Sequence, residues 1–259
     1  MLYDTHCHVY VREFDTDRDE VIKRSNEAGI RLIHVGFEPD GNEKAAVLAK
    51  QYNEYWTAGI HPHHANLATE KNLARIRELA KSHHGKRLKA LGEMGLDFFK
   101  NHQPRDVQIQ AFKAQLKLAL ELNLPVIIHC RDAFQDALKM LDTEKIINAV
   151  FHCFAGTLDE AQQCWSRGYL TSFTGICTYP KAENVRAVIK KAPIDRIMIE
   201  SDCPFLAPQS HRGQRNEPSF LQETFKKICE IRAEKSDILE AILEKNTERF
   251  FNIPRVVRS

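Results

Sequence analysis

A chain of 259 residues, 43% hydrophobic and 28% charged, can bury a full core and has the balance of a globular protein. Its formal net charge of +2 is too even to argue by itself for a nucleic-acid or membrane-surface protein. No apolar stretch nears the roughly 20 residues of a membrane span, no signal peptide opens the chain, and seven cysteines without CxxC spacing suit reduced thiols, so the predicted location is cytoplasmic.

The first stretch, Leu2-Tyr3-Asp4-Thr5-His6-Cys7-His8, reads as a strand. Side chains alternate faces along a strand, so His6 and His8 project to one side and Cys7 to the other. Two imidazoles on one face make half of a divalent-metal site. A helix is predicted over 17–28, stopped by Gly29, and a strand over 31–37. After a helix over 42–51, a third strand at 56–60 runs into His61-Pro62-His63-His64. A helix over 73–82 leads to a strand over 88–93, ending in Glu93. Pro104 is placed as the first residue of a long helix to 123, with Phe112, Leu116, Ala119 and Leu120 on one stripe.

A fifth strand over 125–129 ends in His129, and a sixth over 149–152 ends in His152, with a helix over 132–141 between them. Thr157-Leu158-Asp159-Glu160 has the form of a capping box and opens a helix that Gly168 closes. A strand over 169–173, a helix over 182–191 and a strand over 196–200 bring the chain to Ser201-Asp202. Helices over 218–232 and 236–251 finish it. No linker, repeat or low-complexity segment interrupts this series, so residues 1–259 are expected to form one domain.

Short strands alternating with helices over this length predict an α/β fold, a single (β/α)8 TIM barrel with two extra C-terminal helices. The competing architecture, a doubly wound open sheet, lacks a GxGxxG after strand one. Chemistry argues for closure as well. His6, His8, Glu93, His129, His152 and Asp202 fall at the C-terminal ends of strands one, four, five, six and eight. An open sheet would string them along a line, whereas a barrel gathers them at the mouth where active sites of this fold lie.

Four imidazoles and two carboxylates can hold two divalent ions if one carboxylate is shared. Glu93 is the expected bridge, with His6, His8 and Asp202 at one ion and His129 and His152 at the other. Mixed nitrogen and oxygen ligands suit Zn²⁺ or Mn²⁺ better than Ca²⁺, and leave Mg²⁺ open at a carboxylate-rich position. Cys7, Cys130, Cys153 and Cys203 each follow a proposed ligand, so strand alternation turns them away, and they read as core thiols. Arg131 shares the face of His129 and is a cation for bidentate contact with phosphate. By composition, the 210–217 stretch after strand eight reads as a solvated loop.

Taken together, Asp4-Thr5-His6-Cys7-His8, Gly59-Ile60-His61-Pro62-His63, Gly92-Glu93-Met94-Gly95-Leu96-Asp97 and the run from Pro125 to Ala133 resemble the TatD family of metal-dependent deoxyribonucleases. So do His152-Cys153-Phe154-Ala155-Gly156, Ile199-Glu200-Ser201-Asp202-Cys203-Pro204 and the run from His211 to Pro218. The resemblance implies metal ligation by His6, His8, Glu93, His129, His152 and Asp202, and substrate contact by His61, His63, Arg131, Arg215 and Asn216. Gln214 stands where many relatives carry lysine, which removes one phosphate contact. Some relatives lack the first His-x-His, but this chain keeps it.

The implied reaction is hydrolysis of DNA phosphodiesters, usually from the 3′ end. Glu93, Asp202 and Arg131 are the expected catalytic residues: Asp202 orients the attacking water and takes its proton, while Arg131 neutralises the transition state. DNA is the expected partner, as single strands or 3′ ends, with neither a membrane nor an obligate protein partner. Two other readings stand beside it. One is a hydrolase of esters or amides, such as D-aminoacyl-tRNA, on the same barrel; the other is a noncatalytic metal-binding scaffold.

Overall fold

Runs such as Val126-Ile127-Ile128 and Ile197-Met198-Ile199 have no polar face, as parallel strands covered on both sides require. The structure, a computed structural model, describes residues 1–254, without the side chains of residues 83 and 84; residues 255–259 of the expected domain lie outside the described residues. The strands are β1 (Leu2–Cys7), β2 (Ile30–Val35), β3 (Tyr55–Ala58), β4 (Leu88–Asp97), β5 (Val126–Arg131), β6 (Ala149–Phe151), β7 (Leu170–Phe173) and β8 (Ile197–Ile199). Between and after them come α1 (Arg18–Glu27), α2 (Pro39–Gln51), α3 (Glu70–Lys81), α4 (Arg105–Leu122), α5 (Phe134–Thr143), α6 (Leu158–Ser166), α7 (Glu183–Lys191), α8 (Leu221–Arg232) and α9 (Ser236–Phe250). All eight strands belong to one sheet in sequence order, β1 to β8, which is the (β/α)8 arrangement expected. The two C-terminal helices follow β8 as anticipated, and α8 takes the eighth place in the alternation.

By internal packing the chain divides into two compact units. The first holds Met1–Val9, Thr16–Leu32 and the chain from Cys153 onward. In it β7 pairs parallel with β8, Thr171 opposite Ile197 and Phe173 opposite Ile199. The Thr5 hydroxyl donates to the Ile199 carbonyl at 3.0 Å, and Asp202 N–H donates to the His6 carbonyl at 2.9 Å, so the ends of β1 and β8 are fastened together. Helix α6 opens on the anticipated capping box: Glu160 N–H donates to Thr157 Oγ1 at 3.2 Å and Thr157 N–H to Glu160 Oε2 at 2.7 Å.

The second unit, Tyr10–Asp15 and Ile33–His152, carries the parallel ladder from the end of β2 to β6. Here β4 and β5 outrun their predicted ends at 93 and 129. Their pairing resumes after a register shift between Leu91 and Met94 and continues from Met94 opposite Ile128 to Asp97 opposite Arg131. Gly95 makes this approach feasible, with φ at +145° and room for no Cβ, which would sit 1.9 Å from the His129 carbonyl oxygen. Helix α4 starts one residue later than predicted: Pro104, at φ −52° and ψ 145°, is its N-cap rather than its first helical residue.

Candidate metal centre

In the first unit, alternation along β1 does what the His-x-His spacing requires. The His6 and His8 Nε2 atoms converge to 3.2 Å, and Asp202 Oδ1 lies 3.5 Å from His8 Nε2 and 3.9 Å from His6 Nε2. All three side chains are buried. Beneath them lies Asp4, fully buried on the same face of β1. Its Oδ1 accepts from Ser201 N–H at 2.8 Å and from His6 N–H at 3.3 Å. One carboxylate oxygen thus joins the backbone of a candidate ligand on β1 to the residue before the candidate ligand Asp202. Burial pushes the Asp4 carboxyl up to about 7.

In the second unit, Glu93 is the focus. Its Oε1 lies 2.8 Å from His152 Nε2, 3.0 Å from His129 Nδ1 and 3.2 Å from His61 Nε2. The ligand atoms of His61, Glu93 and His129 all fall within 4.8 Å of one another. Burial opposes a charge on Glu93, yet the His61 and His152 imidazoles and hydrogen bonding with His129 and His152 hold its carboxyl well below the usual range. Burial pushes His61 down to about 4, which keeps it in the neutral form that binds metals. The structure therefore puts His61, expected to meet substrate, among the candidate ligands.

Sequence reasoning missed Asp97. Its Oδ2 lies 2.8 Å from His63 Nε2 and 3.2 Å from His129 Nε2. Its Oδ1 accepts from the backbone of Phe99 at 3.1 Å and of Lys100 at 2.8 Å. Burial works against ionisation here too, but His129, the Lys100 N–H and His63 outweigh it and hold Asp97 well below an ordinary aspartate. A carboxylate on the far nitrogen of a ligating imidazole fixes its tautomer and orientation. The signal was available: residues 93, 95 and 97 share one face if β4 continues past Glu93.

Other expectations meet different fates. Arg131 ends β5 exposed, its guanidinium 3.9 Å from the centroid of the Phe99 ring. Arg215 forms a bidentate pair with Asp17, at 2.8 and 2.6 Å. Asn216, expected to contact substrate, is fully buried. Its amide donates to the Ser201 and Phe205 carbonyls at 2.7 and 2.6 Å, and its Oδ1 accepts from Glu217 N–H at 2.9 Å. It shapes the loop after β8. Cys7 and Cys203 are buried as core thiols, whereas Cys130 and Cys153 are partly exposed. No cysteine joins a cluster of candidate metal ligands among the described residues.

Comparison with known proteins gives this geometry its lineage. The family model for TatD related DNase matches residues 3–252. The chain is 38% identical to an uncharacterized metal-dependent hydrolase, YabD, of Bacillus subtilis, over 98% of this chain and 100% of that protein. It is also 38% identical to the 3′-5′ ssDNA/RNA exonuclease TatD of Cronobacter sakazakii, covering 96% of this chain and 97% of the relative. Among solved structures it superposes on YJJV, a TatD homolog from Escherichia coli, with a TM-score of 0.92 at 30% identity over 98% of both chains. With its family model matched almost end to end and its barrel shared with a solved homolog, the chain belongs to the TatD related DNase family.

Proposed function

We propose that the protein is a metal-dependent nuclease that hydrolyses phosphodiester bonds of single-stranded DNA from the 3′ end, acting in the cytoplasm as one barrel domain over residues 1–259. The observation that carries this reading is the set of three imidazole nitrogens within 3.2 Å of one buried, ionised carboxylate oxygen of Glu93. A mixed nitrogen and oxygen set in which His61 is neutral and Glu93 charged fits a divalent transition ion. The relative from Cronobacter sakazakii supplies the substrate class.

We assign two divalent ions, Zn²⁺, Mn²⁺ or Mg²⁺. His6, His8 and Asp202 would hold one, His129 and His152 the other, with Glu93 shared between them. Bound there, such ions supply Lewis acidity and lower the pKa of water toward roughly 7. The protein does the rest. Asp202 Oδ1 orients the attacking water and accepts its proton. His129 keeps its orientation through Asp97, and His63, on the same carboxylate, is assigned to the substrate. Arg131, exposed at the end of β5, supplies fixed positive charge for the phosphate as negative charge builds in the transition state. Arg215, paired with Asp17, is assigned to the substrate as a second cation.

The free enzyme, loaded in turn with Mg²⁺, Mn²⁺ and Zn²⁺, should shorten a 5′-labelled single-stranded oligonucleotide stepwise. Turnover of aryl esters or charged tRNA with no cleavage of any oligonucleotide would replace this reading with that of an ester or amide hydrolase.

A further inference from the structure

Phe99 is 57% exposed in the loop after β4. One face of its ring is covered by a cation, the Arg131 guanidinium, 3.9 Å from the centroid. An exposed phenylalanine under an arginine is by itself ordinary surface. What sets this one apart is its anchorage. Phe99 N–H donates to Asp97 Oδ1 at 3.1 Å, and the other oxygen of that carboxylate contacts His63 and His129. Arg131 lies opposite Asp97 in the β4–β5 ladder, and its carbonyl accepts from Phe98 N–H at 2.9 Å. Ring and guanidinium are therefore fixed to the same short stretch that orients two candidate site imidazoles. The neighbouring Phe98 ring is capped by Arg105 at 4.4 Å, and Lys100 is exposed next in sequence. Aromatic faces interleaved with cations are what single-stranded nucleic acid binds, bases on rings and phosphates on charges.

We propose that Phe99, backed by Arg131, is a stacking platform for a nucleobase of the single-stranded substrate, and so a determinant of specificity for nucleic acid over other phosphodiesters. The inference deepens the nucleolytic reading and rests on it. A stacked base needs a flat π-face of any identity, so the platform discriminates base from no base and is indifferent to sequence. It acts on substrate affinity, because a stacked base is held alike in the ground state and in the transition state.

The test compares the metal-loaded wild-type protein with Phe99→Ala, Phe99→Leu and Phe99→Trp on a single-stranded oligonucleotide and on the same strand with abasic sites at its 3′ end. Removing one base–aromatic stack is expected to raise KM on the normal strand roughly 5- to 150-fold, with a far smaller change in kcat. Phe99→Leu, which keeps the apolar bulk and protects against a folding artefact, should behave as Phe99→Ala does. Phe99→Trp should restore the wild-type KM. On the abasic strand all four proteins should be alike. An unchanged KM in Phe99→Ala, or an equal rise on both strands, overturns the platform. Should the wild type cleave neither strand, the nucleolytic reading fails separately; fluorescence anisotropy with the two strands then still decides whether Phe99 binds a base.

Discussion

At the scale of single residues, the site turns on a carboxylate ringed by imidazoles. Glu93→Ala removes the oxygen on which His61, His129 and His152 converge, so it is expected to lower bound metal and abolish hydrolysis. Metal analysis of the folded variant checks this, and full metal content with normal activity would refute the assignment. Arg131→Ala separates charge from ligation. It should keep its metal but lose DNA hydrolysis by roughly two to three powers of ten, the size of one transition-state charge contact, while a neutral aryl ester is affected far less. Equal losses on both substrates would give Arg131 a structural role instead. Much of this site was legible in the sequence, because a strand alternates strictly: His6 and His8 could only share a face. Asp97 was not, because the predicted fourth strand stopped at Glu93. The burial of Asn216 was not legible for another reason, since a loop amide is buried by carbonyls, here at Ser201 and Phe205, that no local pattern reveals.

At the scale of elements, the close approach of β4 to β5 brings Glu93 and Asp97 to His129, and Gly95 permits it. In Gly95→Ala the new methyl meets the His129 carbonyl, and φ near +145° is strained for alanine, so β4 must pull away. Both melting temperature and metal content are expected to fall, although alanine removes no functional group; wild-type values for both would show that the strand tolerates a side chain there. The loop after β8 is held differently, by charge. Arg24 grips Glu217 at 2.7 and 3.0 Å, and Arg215 grips Asp17 at the start of α1. Burial opposes a charge on Glu217, but Arg24 and Ser219 hold it below its ordinary value of 4.5. A carboxylate depressed on folding contributes stability above its unfolded pKa and loses it as the pH falls through the folded value. Arg24→Ala should therefore melt below the wild type at pH 7 and converge with it in acid; a gap that persists at low pH would mean the pair acts by packing alone. Such pairs join positions far apart in the chain, such as 24 and 217, so the sequence offered no sign of them. The capping box of α6 is the opposite case. Its two partners lie three residues apart, and it was read correctly from four letters.

At the scale of the whole molecule, the alternation of strand and helix was the clearest message in the sequence, because parallel strands covered on both faces must be apolar throughout. Metal should bind this fold and not the unfolded chain. A ligand at a hundredfold its dissociation constant stabilises by about 2.7 kcal/mol, and in a chain of this size that is about 5–10 °C in melting temperature. Exhaustive chelation should lower the melting temperature by that amount, and added Mn²⁺ or Zn²⁺ should restore it; a melt indifferent to chelation would contradict a bound ion at the buried cluster. The central claim, that this barrel cuts phosphodiesters stepwise from the 3′ end, is tested most directly with one single-stranded oligonucleotide labelled at either end. Incubated with the metal-loaded protein, the 5′-labelled strand should shorten as a ladder, while the 3′-labelled strand should yield labelled mononucleotide at once. Label released first as mononucleotide from the 5′-labelled strand, or both strands left intact by fully metal-loaded protein, would contradict it.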